Sequence, residues 1–467
     1  SFFALAQGKK APSIELGAGI TSGSYTPLWL RASQFGAVPT KESYGTAAIS
    51  FSDFTQVNKR VSWGYGARAL VNLTETQSDV LLQEAYLKGK FGIFELQAGR
   101  KKQIQGLVDS TLSSGSFIWS GNALPMPMLN LVVENYWAPK FVKDVVGFKG
   151  NYAHGWFENQ RGDVANFYLH QKSFYGRLGK PNWLFKFYGG FNHQVQWGGT
   201  LKYADPGNIS AKNGKIATGP KEYLYMITGQ SMNVVGGDTA KYGINDGWNR
   251  LGNHLGTVDL GMEVDWKKAK LFFYRQSIYE DGSLYYGNNI TDGLHGISFT
   301  RKAEQGIMKL VLEYFNATSQ GGSGGSGNIG ILRGQDNYLN NSVYREGWTY
   351  LGKGIGTPLI TLNSETGLFP GDEVYFDNSR VETFYGAAMA KWGSNEIMLR
   401  GSLSNAIGAY GSEFAGAMKQ VSVGVHWQRP VQLMGYDAQL KAALGADRGM
   451  WKSDAFGGNV SVVLPLN

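Results

Sequence analysis

Hydrophobic and polar residues alternate with a period of two over much of the chain, most plainly in residues 182–197. There Trp183, Phe185, Phe187, Gly189, Phe191, His193, Val195 and Trp197 interleave with Leu184, Lys186, Tyr188, Gly190, Asn192, Gln194 and Gln196. Successive strand side chains point to opposite faces, so this segment has one greasy and one wet face. Phe185 to Val195 is ten steps of about 3.3 Å, and a tilt of about 45° projects them onto roughly 23 Å, close to the apolar band of a membrane barrel. Trp183 and Trp197 fall just outside, where an aromatic girdle sits at headgroup level. A long strand of a soluble sandwich would alternate in the same way. In the barrel, Phe187 faces lipid and resists Arg, whereas Asn192 faces the lumen and tolerates it.

The same texture predicts strands at 13–21, 44–54, 60–71, 79–88, 91–100, 129–138, 143–157, 166–178, 256–266, 269–279, 294–301, 306–316, 381–392, 395–405, 419–428, 435–446 and 458–466. With residues 182–197 the count is about eighteen, even, as closure of a bacterial antiparallel barrel requires. Strands 79–88 and 91–100 read as a hairpin through Gly89-Lys90. Connection lengths give an independent test. Counted back from a periplasmic C-terminus, the inner turns 178–182, 266–268, 302–305, 393–394 and 429–434 are short. The outer connections 101–128, 198–253, 280–293, 318–380, 407–418 and 447–457 are longer, as in outer-membrane barrels. Residues 26–36 carry Thr26, Pro27 and a terminal Gly36, which predict a helix of about three turns lying against or inside the barrel mouth. Residues 221–227, after Pro220, predict a short helix, and 320–327 read as a flexible Gly/Ser linker.

Composition agrees with one large closed sheet. Of 467 residues 65 are Gly, about twice the usual share of roughly 7%. No composition break divides the chain, which reads as a segment 1–12, with the Ala4/Ala6 spacing of a signal-peptide remnant, followed by a barrel over 13–467. No apolar run approaches the roughly 20 residues of a membrane helix, so a membrane location must use strands. Absence of Cys removes disulfides and thiolate metal sites. The net charge of +8 favours anionic partners, lipid headgroups or acidic glycans, and no basic run points to nucleic acid.

Candidate chemistry is sparse. The six histidines are scattered without metal-ligand spacing, and no nucleophile elbow, phosphate loop or nucleotide fingerprint occurs, so neither metal nor cofactor is expected. Asp259, Glu263 and Asp265 share the inward face of one strand. A glycosidase needs two carboxyls about 5 to 9 Å apart across a sugar, but pairing with Lys270, Arg275, Lys309, Arg400 or Lys441 accounts for them more simply. Inward-facing positions include Arg68, Lys186, Tyr188, Asn192, Gln194, Gln196, Asp259, Glu263, Lys309, Arg400 and Lys441, bulky enough with the outer loops to close the lumen. Glycan binding wants aromatic rings beside amides and cations. Three outer-loop clusters supply them: Trp248, Asn249 and Arg250; Asp336, Asn337 and Tyr338; and Tyr344, Arg345, Trp348 and Tyr350. Each also fits a packed loop core.

Phe174-Tyr175-Gly176-Arg177-Leu178-Gly179-Lys180-Pro181-Asn182-Trp183, followed by Gly189-Gly190-Phe191-Asn192-His193-Gln194-Val195-Gln196-Trp197-Gly198-Gly199, resembles the Wzi-type capsule assembly proteins in the form found in Bacteroidetes. Ile14-Glu15-Leu16-Gly17, Tyr25-Thr26-Pro27-Leu28-Trp29-Leu30 and Leu96-Gln97-Ala98-Gly99-Arg100-Lys101-Lys102 are similar too. The resemblance implies a non-catalytic outer-membrane barrel of about eighteen strands that holds surface polysaccharide at the cell exterior, in contact with lipid and with other envelope proteins as further candidate partners. Enterobacterial members have an N-terminal helical bundle, whereas only the 26–35 helix is evident here. Loop counting puts that helix on the outer side, so either an early strand is miscounted or the helix folds back into the lumen. A substrate-specific diffusion channel is the alternative, since Glu84-Ala85-Tyr86-Leu87 with Gly99-Arg100 resembles such porins and polysaccharide-export barrels.

Overall fold

The computed structural model describes residues 10–280, 283–324, 334–366, 375–433 and 435–466. Eighteen antiparallel strands form one closed sheet. In chain order they are β1 (Lys10–Thr21), β2 (Tyr44–Gln56), β3 (Val61–Thr74), β4 (Ser78–Phe91), β5 (Phe94–Arg100) and β6 (Pro127–Trp137). Then follow β7 (Val146–Trp156), β8 (Tyr168–Leu178), β9 (Phe185–Trp197), β10 (Asn253–Asp265), β11 (Ala269–Glu280) and β12 (Gly293–Arg301). The last six are β13 (Gly306–Asn316), β14 (Arg380–Trp392), β15 (Asn395–Ala409), β16 (Ser412–Leu433), β17 (Tyr436–Gly449) and β18 (Ala455–Pro465). Each pairs with its neighbours in the chain, and β1 closes the ring by pairing with both β2 and β18. Closure leaves no exposed sheet edge, the condition for a sheet to sit in lipid.

Alternation sorts the side chains as the sequence suggests. On β9 Phe185, Phe187 and Phe191 are exposed on the outer wall while Lys186 and Asn192 are buried inside. Arg at Phe187 is expected to cost on the order of 2 to 4 kcal/mol, read as a lower denaturant midpoint in lipid; an unchanged midpoint would remove this segment from the membrane. The expected tolerance of Asn192 to Arg does not hold. Its amide nitrogen donates to the Tyr175 hydroxyl at 3.0 Å and to Thr257 at 2.6 Å, and the side chain is fully enclosed, so Arg there has neither room nor solvent.

Two connections differ from expectation. The β4–β5 turn is Gly92-Ile93 rather than Gly89-Lys90, because Gly89 stays in the ladder opposite Leu96 while Gly92, at φ 63°, supplies the left-handed turn residue. Residues 407–418 are not a long loop, since β15 and β16 continue to a turn at Tyr410-Gly411. The outer connection between β3 and β4 is also short, residues 75–77. The 26–35 helix shrinks to α1, Leu28–Arg31. Beyond it the backbone bonds elsewhere: Phe35 N–H donates to the Gly121 carbonyl at 2.8 Å, and Gln83 of β4 takes the Gln34 and Phe35 carbonyls. Tertiary partners thus replace the helical ladder. The second helix, α2, spans Pro220–Thr228 and ends on Gly229 in the left-handed conformation.

Candidate functional site: a barrel mouth filled from within

The connection between β5 and β6, residues 101–126, folds into the barrel, and its backbone and side chains bond to six consecutive wall strands. Leu107 N–H donates to Asp259 of β10 at 2.8 Å and Phe117 N–H to Gln276 of β11 at 2.9 Å. Asp109 accepts from Ser298 of β12 at 2.6 Å and pairs with Lys309 of β13 at 2.9 Å. Ser114 N–H donates to Glu313 of β13 at 2.7 Å. The Tyr385 hydroxyl of β14 donates to the Leu112 carbonyl at 2.7 Å, and Arg400 of β15 to the Thr111 carbonyl at 3.3 Å. Buried carboxylates facing backbone N–H groups are charge-assisted acceptors, the stronger class of hydrogen bond. The segment is rich in Gly and Ser because it runs close to the wall. A Cβ at Gly106 would meet the Gln276 amide at 2.0 Å.

The adjoining wall is covered by the β1–β2 connection, which does fold back into the lumen. Leu28 N–H donates to Asp447 of β17 at 2.9 Å, Trp29 Nε1 to Ser402 of β15 at 3.1 Å, and His426 of β16 lies 2.9 Å from the Trp29 carbonyl. Gly424 makes the seat, since a Cβ there would stand 2.6 Å from that of Trp29. Over both segments lies the β13–β14 connection. Trp348 Nε1 donates to the Ile118 carbonyl at 2.7 Å, Thr357 N–H to the Phe117 carbonyl at 2.9 Å, and Lys353 to the carbonyls of Gly36 and Val38 at 3.0 and 2.7 Å. Trp29, Leu112, Phe117, Trp119, Tyr338 and Trp348 share one hydrophobic core inside the barrel.

Ion pairs lock the cap. Arg161, in the β7–β8 connection, has a side chain only 1% exposed and faces Asp163 at 3.2 Å and Glu158 and Glu346 at 3.7 Å. Burial pushes the Glu158 carboxyl up, against the pull of Arg161. Glu365 sits between Arg31 and Lys452, the latter at 3.8 Å. Burial works to raise its carboxyl, but Arg31 and Lys452 outweigh it and hold it below the usual range. Burial, with Arg31 nearby, pushes the Lys353 and Lys452 ammonium groups down to about 8.

The expected inward residues occupy specific places. Arg68 and Lys441 converge on Glu15, at 2.7 and 3.2 Å. Lys186 pairs with Glu263 at 2.8 Å and Asp265 at 3.2 Å, and Glu263 also meets Lys270. The carboxyls weighed for glycosidase chemistry are thus held by lysines, while Asp259 takes a plug amide and the Tyr175 hydroxyl. Tyr188 packs between Tyr136 and Phe272. Gln194 and Gln196 are enclosed, and Gln196 reaches the Gly347 carbonyl at 3.1 Å. Arg275, expected as a lumen partner, instead lies opposite Leu260 and His295 on the outer face.

The glycan-binding clusters divide. Tyr338, Tyr344, Trp348 and Tyr350 are buried, as is Asp336, so these rings offer no platform to a sugar; they form the loop core. Arg345 is exposed with its guanidinium 3.7 Å from the Tyr203 ring centroid. Trp248 is 59% exposed, whereas Asn249 and Arg250 serve the loop: the Asn249 carbonyl accepts from Met232 N–H and Arg250 donates to the Gly229 carbonyl. Sequence reasoning missed Tyr285 and Tyr286, exposed edge-to-face neighbours on a short helix of the β11–β12 connection. It also missed Asp109, Gln276 and Glu313 as plug anchors; only the Gly/Ser texture of 106–116 hinted at a tightly packed loop. In the Gly/Ser stretch, Gln320 is buried and its amide donates to the Ser379 carbonyl at 3.1 Å; residues 325–327 lie outside the described residues.

On the outer wall, Trp183 is 47% exposed, but Trp197 is covered because α2 lies over it with Met226. Four of the histidines scattered in sequence meet under this helix. His154 faces His170 across β7 and β8, and His193 lies 2.9 Å from His254. Among the described residues no group has the geometry to hold a metal ion.

The model of the family described as capsule assembly protein Wzi matches residues 33–361. No curated protein matches. Solved structures match along nearly the whole chain at low identity. OccK5 (OpdH) of Pseudomonas aeruginosa has 11% identity, coverage of 98% of each chain and a TM-score of 0.48. OprD of Pseudomonas aeruginosa, an outer membrane protein, has 11% identity, covers 100% of this chain and 97% of its own, and scores 0.46. OccAB4 of Acinetobacter baumannii has 9% identity, 98% coverage of each chain and a TM-score of 0.45. With the match extending over more than half of a closed eighteen-stranded barrel, this chain belongs to the Wzi family of capsule assembly proteins of the Gram-negative outer membrane.

Proposed function

We propose that the protein is a non-catalytic, non-conducting mount that holds surface polysaccharide at the outer mouth of the barrel. The observation that carries this reading is the plug: residues 101–126 bond to six wall strands and pack beneath the β13–β14 connection, so the lumen is given to structure rather than to passage. An unplugged barrel of this strand number is wide enough for a water channel. Glycan contact then falls to exposed groups on the outer connections: Arg345 over Tyr203, Trp248, and the Tyr285–Tyr286 pair. Flat rings cover sugar faces, and a guanidinium pairs with acidic sugars, in keeping with the net positive charge. The Lys-bound Glu263 and Asp265 support a structural role for the carboxylates. In an Arg345→Ala/Trp248→Ala double variant we expect polysaccharide to move from the cell surface to the medium while the barrel stays heat-modifiable on a gel. Unchanged cell-bound polysaccharide would remove these two residues from the site.

A further inference from the structure

The lipid-facing wall is hollowed over β10–β16 into an apolar groove of about 1010 Å³. Of the four glycines that line it, two stand on the outward-facing register of their strands. Gly386 and Gly401 are cross-strand partners, flanked in the same row by Leu312 and Val423. Neither has a positive φ, and an added Cβ would meet Leu312 at 3.5 Å or Val423 at 4.0 Å, which are ordinary contacts. Packing within the chain therefore does not demand glycine at either position. Glycine inside a strand weakens it and often marks a place where another group approaches the backbone.

One residue repeat nearer the outer loops, the groove is lined by Arg275, His295 and Tyr314, paired across β11, β12 and β13. A cation on the lipid face of a barrel is costly at depth. Arg275 lacks a carboxylate partner among the described residues: one guanidinium nitrogen donates to the Ile290 carbonyl, and its Nε is buried and unpartnered. Lys419 adds an exposed cation in the next row, while Glu382 accepts from the Tyr314 hydroxyl. The one carboxylate in these rows, Glu382, is thus engaged by Tyr314 on the far side of His295, and Arg275 has no anion against it among the described residues. We propose that the groove seats an acylated, phosphate-bearing glycolipid of the outer leaflet, with acyl chain over Gly386 and Gly401 and phosphate on Arg275.

The test uses the full chain in phosphatidylethanolamine nanodiscs, with bisphosphorylated lipid A as probe and native mass spectrometry as readout. Arg275→Gln is expected to weaken binding about tenfold, the scale of one lost charge-assisted contact, and Gly401→Leu to weaken it by filling the groove floor. Gly176→Leu, on the outer face of β8 beyond the groove, should bind as wild type does, and dephosphorylated lipid A should bind wild type as poorly as the phosphorylated probe binds Arg275→Gln. Equal binding by all variants, or indifference to phosphate, would reduce the groove to a stretch of ordinary boundary lipid and overturn the proposal. Loss of a cross-linked dimer in Gly401→Leu without loss of lipid would assign the groove to a second copy of the chain instead. If Gly401→Leu does not fold, Arg275→Gln and the phosphate comparison decide alone. Since groove and mouth are separate, retained polysaccharide alongside lost lipid, or the reverse, distinguishes this proposal from glycan mounting.

Discussion

Trp348→Ala is expected to loosen the plug by about 3 to 5 kcal/mol, the range for deleting a fully buried large aromatic side chain, while leaving the strands paired. The indole has no exposed surface, stands edge-on to Trp119 and Phe157 at centroid distances of 6.0 and 6.1 Å, and donates to the Ile118 carbonyl. Truncation therefore empties a cavity at the seam between the β13–β14 connection and residues 101–126, and orphans a carbonyl. The ladder of eighteen strands is untouched, so heat-modifiability should persist while loop amides near Ile118 and Trp348 exchange faster by mass spectrometry. Exchange unchanged from wild type would show that the seam does not hold the plug. Trp348 and Arg345, grouped in sequence as one binding cluster, thereby separate. The exposed Arg345 is expected to alter glycan retention with little effect on loop stability.

Arg161→Met should be of similar size, about 3 to 5 kcal/mol, as when one member of a buried ionic group is removed and its partners remain. The guanidinium faces three carboxylates and also donates to the carbonyls of Gly347 and Thr349 at 3.2 and 3.0 Å. Without it, Glu158 and Asp163 are buried anions with no cation against them. The deficit should depend on pH. Burial already raises Glu158, so its folded-state value lies above the unfolded one. Its ionisation therefore costs stability as pH rises through the carboxylate range, and removing Arg161 widens that interval. The variant's outer loops should be cut readily by protease at neutral pH and less so in mild acid relative to wild type. Equal resistance at neutral pH would mean that the cluster contributes nothing to the cap.

The strands were legible because alternation is local. Each of the eighteen announces itself through its own residues, and membrane insertion makes one face uniformly apolar, as in Phe185, Phe187 and Phe191. What failed depends on residues far apart in the chain. Leu107 meets Asp259, and Thr111 meets Arg400, across separations of 152 and 289 residues that no periodicity encodes. For the same reason an aromatic–amide–cation cluster such as Tyr344 to Tyr350 reads alike whether it faces solvent or a loop core. The 26–35 helix carries sound end signals, yet the wall takes its peptide groups. Trp197 sits on the expected face, but α2, folded over that face from the outer loop, removes it from the headgroup layer.

Conductance tests the sealed lumen most directly. The purified full chain inserted in a planar bilayer should show no steady current at neutral pH and moderate salt, because the 101–126 segment and the connections above it occupy the interior. Stable, ohmic channels of porin size in the wild-type protein would contradict this and make the barrel a diffusion pore.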